Sequence, residues 1–378
     1  MRGTSTLSRL GLMISTFARY GRWISVATWF SFAVPLIVLT RLTLRLDEVL
    51  YPELRGLPIE KPVFIMGHPR SGTSFFQRRV FRSGAAAMFT TWELFVPSVA
   101  LRRLLRPVVR LLTRNDVDVV QSSDVGHEVR LADVEEDEGL FLHRLDSEMM
   151  TFLCPRLLTD DSTAELGFRL GWVHERELRR SMEFYRRCLR RNLYHSGKAR
   201  VVAKCNPSIF RLPALLEAFP DARIVYVVRR PEDSIRSFLS FAGRFVAPLL
   251  KERELPTFFR RKYRWCVELY RRFEELRPRI PPQQLLVLSF DEITKDPGAA
   301  LGRFFEFCGI EPDEETMERI SAPRTSRARK RHVNDALAAF GISEEEVRRD
   351  LAFVRERYFP GDSGEKPEPT AELGGVGS

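Results

Sequence analysis

The stretch that decides the fold is "VFIMGHPRSGTSF", residues 63–75, in which an apolar run leads into a glycine-containing loop. Gly67 and Gly72 have the spacing of a phosphate-binding loop (P-loop) that opens a helix. In nucleotide-hydrolysing proteins a lysine follows the second glycine and reaches the β and γ phosphates. Here Thr73 follows it, and the loop's one cation is Arg70. The loop therefore predicts a site for an anion other than ATP, with a turn that binds no ligand as the alternative.

Four apolar runs predict the strands of one sheet. They are residues 62–66, 200–204, 223–228 and 285–290. None alternates strictly with polar residues, as expected of strands that are buried on both faces. Helical patterns lie between them at 173–195, 211–219 and 257–277. We predict an α/β fold, a three-layer doubly wound parallel sheet, whose ligand binds beyond the carboxyl ends of the strands.

Composition leaves several function classes open. The 378 residues carry a net charge of +10, which suits a phosphorylated ligand, an acidic membrane surface or nucleic acid. The five cysteines are far apart, with no CxxC pair and no histidine at metal-ligand spacing. We expect free, mostly buried thiols, with neither a disulfide framework nor a structural zinc site.

The chain is predicted to have three parts: an N-terminal segment (1–58), one catalytic domain (59–360) and a disordered tail (361–378). Residues 23–40 carry no charge and are near the lower length limit of a transmembrane helix. They predict a membrane contact, with an apolar helix packed on the domain as the alternative. Residues 101–114 have the pattern of an interfacial amphipathic helix or of an ordinary surface helix.

A second anion motif, "RRPEDSIRS", follows the strand predicted at 223–228. Arg229 and Ser237 bracket a turn and the start of a helix, where they can hold a phosphate group. Alternatively, Arg229 caps that helix or pairs with Asp233. Two anion sites on neighbouring strands suit a ligand with two separated phosphates.

These motifs together resemble a known family. "GHPRSGTSF" (67–75) is similar to the 5′-phosphosulfate loop of sulfotransferases that use 3′-phosphoadenosine 5′-phosphosulfate (PAPS), and "RRPEDSIRS" to their 3′-phosphate motif. Further similar segments follow in the family's order: "AKCNPS" (203–208), "FPDARIVYVVRRP" (219–231), "LLVLSFDEITKDPGAALGRFFEFCGI" (285–310) and "KRHVNDALAAFGIS" (330–343). The resemblance covers roughly residues 60–358 and is closest to the bacterial-type branch.

The resemblance implies a PAPS co-substrate and no metal or nucleic-acid partner. The residues implied for the 5′-phosphosulfate are Arg70, Ser71, Gly72, Thr73 and Ser74. Phe75 would pack on the adenine, Arg229 and Ser237 would bind the 3′-phosphate, and Lys204 would lie near the transferred group. The basic run "RARKRH" (327–332) either closes over the 3′-phosphate or is a solvated surface run.

A general base must take the proton of the acceptor. The position of the catalytic histidine of cytosolic members, two after Lys204, is Asn206. Substitutes lie in "HEVRLADVEEDEG" (127–139), where Glu136 is the first candidate and His127 the second. Repulsion among neighbouring carboxylates would raise a pKa there. Alternatively, the segment is an acidic helix start at the surface.

The acceptor is the least defined part of the prediction. Residues 85–175 and 238–262 are rich in Phe, Leu and Met, which favours a hydroxyl or amine on a lipid-linked acceptor or a carbohydrate, although core packing uses the same residues. The competing functions are a P-loop kinase or NTPase-like phosphotransferase and a membrane-surface scaffold with a vestigial loop. The expected location is cytoplasmic and membrane-associated in a bacterium, or the Golgi membrane in a eukaryote.

Overall fold

A computed structural model describes residues 6–19, 23–114, 118–120, 129–161, 175–322 and 336–361. Its main sheet has four parallel strands in the order β4-β1-β5-β6. These strands are β1 (Val63–Gly67), β4 (Val202–Lys204), β5 (Arg223–Val228) and β6 (Leu285–Ser289). A separate antiparallel pair is formed by β2 (Asp118–Val120) and β3 (Val129–Arg130). The four predicted runs thus form one parallel sheet, as expected.

Helices connect and cover the strands. In chain order they are α1 (Thr6–Arg19), α2 (Trp23–Leu50), α3 (Thr73–Arg82), α4 (Thr91–Phe95), α5 (Val99–Arg114), α6 (Met150–Leu153), α7 (Arg156–Thr159), α8 (Glu175–Ser196), α9 (Leu212–Ala218), α10 (Pro231–Val246), α11 (Leu255–Leu276), α12 (Phe290–Lys295), α13 (Pro297–Cys308), α14 (Glu314–Ser321), α15 (Glu344–Asp350) and α16 (Ala352–Tyr358). Short 3₁₀ helices include Asp137–Arg144 and Asn206–Arg211, which matter for the site.

The sheet is buried on both faces. Phe64 and Met66 of β1 belong to one apolar core, which includes residues of α8, α10 and α11. Val63 and Ile65 belong to a second core with residues of α3 and α13. Because neighbouring side chains of a strand point to opposite faces, two cores on alternate residues place helices on each side of the sheet. This is the predicted three-layer α/β arrangement.

The N-terminal helices extend beyond the predicted apolar run. Helix α2 continues ten residues past residue 40, to Leu50. Among the described residues no helix is long and apolar enough to cross a membrane. Asp47 of α2 is fully buried and accepts hydrogen bonds from the Val99 and Ala100 N–H groups, at 3.0 and 2.9 Å. It therefore caps the start of α5 and fixes that helix against α2.

The five cysteines are all free and buried, as the sequence predicted. Burial raises the pKa of the Cys188 thiol to about 12, and it does the same for Cys154 and Cys308. The described residues hold no group of His, Cys, Asp or Glu arranged for a metal ion. The three-part division of the chain remains a prediction, and the tail from residue 362 onwards lies outside the described residues.

Candidate functional site

The glycine loop joins the carboxyl end of β1 to the first turn of α3. Gly72 has a φ of 101°, and a Cβ there would lie 2.6 Å from the Phe290 ring. A Cβ on Gly67 would collide with the carbonyl oxygen of Val227 on β5. Only glycine fits at both positions, so the loop's path is fixed by the neighbouring strand and by the start of α12.

Arg70 connects the loop to the second predicted anion motif. Its Nε donates a hydrogen bond to Ser237 Oγ at 3.2 Å. Arg229 Nη1 donates to the Arg70 carbonyl at 3.2 Å, and its guanidinium lies over the Phe290 ring, 4.3 Å from the centroid. Three residues that the sequence placed in two separate motifs are therefore neighbours at one edge of the sheet.

The hydroxyl groups of the loop differ in their surroundings. Thr73 Oγ1 accepts from Asn206 Nδ2 at 3.2 Å, and Ser74 Oγ accepts from Lys204 Nζ at 2.7 Å. Because each accepts a hydrogen bond, each hydroxyl keeps its own proton to donate. Ser71 is buried, with its Oγ facing Gly67, and its N–H donates to the His68 carbonyl at 3.0 Å, so its contact with a 5′-phosphosulfate stays a prediction.

Glu136 completes what we call the strand-end cluster: Thr73, Ser74, Glu136, Lys204 and Asn206. A Glu136 carboxylate oxygen lies 3.4 Å from Lys204 Nζ, and the other accepts the Asn206 N–H at 2.7 Å. Burial raises the pKa of Glu136, while the charge of Lys204 opposes that shift. Its side chain is 16% exposed, so the carboxylate is desolvated yet still reachable.

The carboxylates that follow Glu136 point into the protein. Asp137 accepts a hydrogen bond from Tyr185 Oη at 2.7 Å, and Glu138 forms an ion pair with Arg211 at 2.7 Å. We call these four residues the interior acidic cluster. The alternative of an acidic helix start at the surface is therefore wrong for Asp137 and Glu138, which are 1% and 0% exposed. Burial is the main cause of the raised pKa values in this segment, ahead of the repulsion that the sequence suggested.

Comparison with known proteins decides the family. The model of the sulfotransferase family matches residues 62–315. The chain belongs to this family. The sulfotransferase named omega-hydroxy-beta-dihydromenaquinone-9 sulfotransferase Stf3, from Mycobacterium bovis and from Mycobacterium tuberculosis, is 26% identical over 259 residues. That match covers 66% of this chain and 63% of the relative, less than two thirds of the relative's length.

Two solved structures share the fold of this sulfotransferase-family chain. Sulfotransferase STF9 from Mycobacterium avium has a TM-score of 0.70 and 19% identity, with 90% of this chain and 86% of that one covered. Sulfotransferase STF1 from Mycobacterium tuberculosis H37Rv has a TM-score of 0.66, also with 19% identity, and 92% of each chain is covered. At this identity the likeness concerns the fold.

Two predicted elements of the sulfotransferase site fall outside the described residues: His127 and the basic run 327–332. Phe75 is described and half-buried, at the edge of the second core. The Arg79 guanidinium lies 4.8 Å from its ring centroid. The adenine contact of Phe75 therefore stays a prediction, with one ring face already next to an arginine.

Sequence reasoning missed two residues that shape the site. Phe290 lies between Gly72 and Arg229, and its position at the carboxyl end of a predicted strand was the available signal. His68 is 1% exposed and stacks on Tyr270, with ring centroids 5.0 Å apart. Burial lowers the pKa of His68 to about 3, so this imidazole is neutral. No signal in the sequence distinguished it from the polar residues of the loop.

Proposed function

We propose that this chain transfers a sulfuryl group from PAPS to a hydroxyl group of an apolar, lipid-like acceptor. The observation that carries the proposal is the hydrogen bond from Arg70 to Ser237. It joins the loop implied for the 5′-phosphosulfate to the residue implied for the 3′-phosphate. A nucleotide donor with anionic groups on its 5′ and 3′ carbons can bind only if the two anion sites are close enough for one nucleoside to span them.

The loop suits the anionic end of such a donor. The first turn of α3 leaves backbone N–H groups without partners inside the helix. Thr73 and Ser74 add hydroxyl protons, because their oxygens already accept from Asn206 and Lys204. Arg70 adds a fixed positive charge that can contact two oxygens at once.

The transfer is an in-line displacement at sulfur. The acceptor oxygen forms a bond to sulfur while the bond from sulfur to the 5′-phosphate oxygen breaks. Adenosine 3′,5′-bisphosphate leaves with the electron pair of that bond, and the acceptor's proton moves to the enzyme. As in phosphoryl transfer, the protein contributes position and cations aimed at the oxygens that gain charge. Lys204 and Arg70 are our candidates for this second task.

Glu136 is the proposed general base. Its carboxylate lies beside Lys204, and Lys204 in turn donates to Ser74 of the loop. A base at this position is close to the loop residues that we propose hold the transferred sulfuryl group. Its raised pKa brings it closer to neutrality, where a carboxylate accepts a proton more effectively.

The surroundings of Arg70 support an apolar acceptor. The Arg70 guanidinium lies 5.9 Å from the ring centroid of Phe241. Phe152 packs against Phe238, Phe241 and Phe245, with centroid distances of 6.0, 5.9 and 5.9 Å. These rings lie in the segments predicted to bind the acceptor. The relative named for a hydroxylated menaquinone agrees in chemical class.

The test is calorimetric binding of adenosine 3′,5′-bisphosphate, with ATP and adenosine 5′-phosphate as comparison ligands. We expect about micromolar binding of the bisphosphate, at least tenfold tighter than that of either comparison ligand. Arg229→Ala should weaken bisphosphate binding by about ten- to a hundredfold, because it removes a charged hydrogen-bond donor.

The matched control is Arg271→Ala, which removes an exposed arginine of α11. It should leave all three affinities unchanged. Tighter binding of ATP than of the bisphosphate, or equal binding by wild type and Arg229→Ala, would contradict the proposed donor. Magnesium-dependent turnover of ATP would instead support the phosphotransferase alternative.

A further inference from the structure

Large apolar side chains are exposed on one part of the surface. Among the residues that the structure describes, ten of them lie on α2 and α5, and Phe95 lies just before α5. On α2 they include Leu42 and Val49, which are 56% and 74% exposed. On α5 they include Leu104 and Leu111, which are 73% and 61% exposed. We call the exposed residues of α2 from 35 to 50 and of α5 from 103 to 112 the α2–α5 face.

The two helices are held together as one rigid support. Buried Asp47 accepts from Ser98 Oγ at 2.9 Å and from the first N–H groups of α5. It also forms an ion pair with Arg191 of α8 at 2.9 Å. These contacts of Asp47 fix the apolar residues of α2 and α5 relative to the catalytic domain, so the residues form one continuous surface.

The charges on this face are all positive. Helix α5 contains no acidic residue, and both acids of α2 are engaged, Asp47 in the interior and Glu48 with arginines of α8. Four exposed arginines pair with no described acidic side chain: Arg41, Arg45, Arg106 and Arg110. Exposed guanidinium groups beside exposed leucines match a partner that is apolar and anionic at once.

A cavity of about 270 Å³ borders the face at Arg41 and Arg45. Its lining contains His143, one glutamate and five arginines, of which Arg144, Arg180 and Arg187 are in ion pairs with acidic side chains, while Arg41 and Arg45 pair with no described acidic side chain. Leu42 and Leu46, which are 56% and 47% exposed, follow these two arginines on α2, so exposed apolar side chains lie within one helical turn of both guanidinium groups. This is the arrangement that a phospholipid requires, with its phosphate next to its acyl chains.

We propose that the α2–α5 face docks on the surface of a bilayer that contains anionic phospholipids. Arg41, Arg45, Arg106 and Arg110 attract the phosphates, and the leucines enter the boundary between headgroups and acyl chains. A second copy of the chain fits this face less well. A twofold contact would bring the same arginines of both copies together, and no acid of the face would compensate them. The proposal concerns binding alone and does not depend on the transferase activity.

The experiment is sedimentation of the full chain with vesicles, at physiological ionic strength. Vesicles of phosphatidylcholine that contain about 30% of the anionic lipid phosphatidylglycerol are compared with vesicles of phosphatidylcholine alone. We expect binding to the anionic vesicles that weakens as salt is added. Arg106→Gln with Arg110→Gln should lower the partition coefficient about 30-fold, roughly a factor of five for each arginine.

The matched control is Arg271→Gln with Arg279→Gln, which removes the same charge elsewhere on the surface. It should change vesicle binding less than about twofold. Leu104→Gln with Leu111→Gln should reduce binding at least about tenfold while the charge stays the same. Because both leucines are mostly exposed, their replacement leaves the core intact.

Three results would overturn the proposal. One is equal binding to neutral and anionic vesicles, and another is undiminished binding by both the arginine and the leucine variants. The third is a stable dimer in lipid-free solution, measured by light scattering, that dissociates in the Leu104→Gln and Leu111→Gln variant. That third result would assign the face to a second copy of the chain.

Discussion

The strand-end cluster and the interior acidic cluster differ in how far they expose a carboxylate to solvent, although their glutamates are only two residues apart. In the strand-end cluster the Glu136 side chain is 16% exposed, and its cation Lys204 also serves the loop through Ser74. In the interior acidic cluster the Glu138 side chain is 1% exposed, and both its oxygens are engaged, by Arg211 and by the Glu148 N–H group. Similar chemistry thus gives an accessible carboxylate, our proposed general base, at one position and a buried ion pair at the other.

The largest expected effect is a loss of activity on replacement of Glu136, the accessible carboxylate of the strand-end cluster. Glu136→Gln should lower kcat by about 10²- to 10⁴-fold, because an amide cannot take the acceptor's proton. It should leave bisphosphate binding unchanged. The measurement is release of adenosine 3′,5′-bisphosphate from PAPS, with a hydroxylated isoprenoid quinone as acceptor.

The pH profile provides the control for that variant. Wild-type kcat should fall as the pH is lowered, and this fall should begin above the usual pH range for a glutamate. The reason is that Glu136 has a raised pKa, so the base is protonated at a higher pH. Glu136→Gln should lack this acid limb in its residual activity. An acid limb that survives in the variant would assign the base to another group.

The second prediction concerns stability. Glu138→Gln removes the direct ion-pair partner of the buried Arg211 charge, so the free energy of unfolding should fall by about 3 kcal/mol. Urea unfolding followed by circular dichroism measures this loss, with Glu136→Gln as the isosteric control. Equal losses in the two variants would show that the two clusters are one structural unit.

Asp137 gives a smaller, pH-dependent effect. Burial raises its pKa in the folded protein to about 8, far above that of the unfolded chain. Between about pH 4 and pH 8 the folded state therefore holds a proton that the unfolded state has lost, so stability falls as the pH rises. Asp137→Asn cannot titrate and should lack this fall, whose limit is about 1.4 kcal/mol per pH unit.

The comparison is made by urea unfolding of both proteins at pH 5.5, 6.5 and 7.5, about the middle of that window. The stability of wild type relative to Asp137→Asn should decrease with each step. Parallel profiles would mean that Asp137 is ionised in the folded state throughout.

The smallest effect is expected for Tyr185→Phe, which removes one hydrogen bond to Asp137. A loss of about 1 kcal/mol in unfolding free energy is expected. The tyrosine hydroxyl lowers the pKa of Asp137, so its removal should also extend the decline in stability to higher pH. A fall in kcat without loss of stability would instead place Tyr185 in the reaction.

The sequence predicted the sheet and the adjacency of the two anion motifs, because both depend on local patterns. Strand runs and glycine spacing lie within a few residues of each other, and the carboxyl ends of parallel strands meet at one edge. That rule alone predicts that the loop of Arg70 and the motif of Arg229 and Ser237 are neighbours. The hydrogen bonds among them agree.

The orientation of the acidic segment could not be predicted. Residues 135–138 enter a 3₁₀ helix, where no regular period assigns side chains to a face. The partners that decide it are remote, with Arg211 lying 73 residues from Glu138 and Tyr185 lying 48 from Asp137. Glu136 was chosen from the resemblance, and only the packing shows its contact with Lys204. Likewise, nothing in residues 23–40 indicated that Asp47 caps α5.

The burial of all five cysteines has a practical consequence for experiments on the α2–α5 face. A buried thiol with a pKa near 12 holds almost no thiolate at neutral pH, so it should react far more slowly with maleimides than an exposed thiol. A cysteine introduced at an exposed position of α5, such as Leu104→Cys, would then be the most reactive thiol among the described residues. A single spin label or fluorophore can therefore be attached there while every native cysteine is kept. Its depth in lipid can then be read directly by quenching.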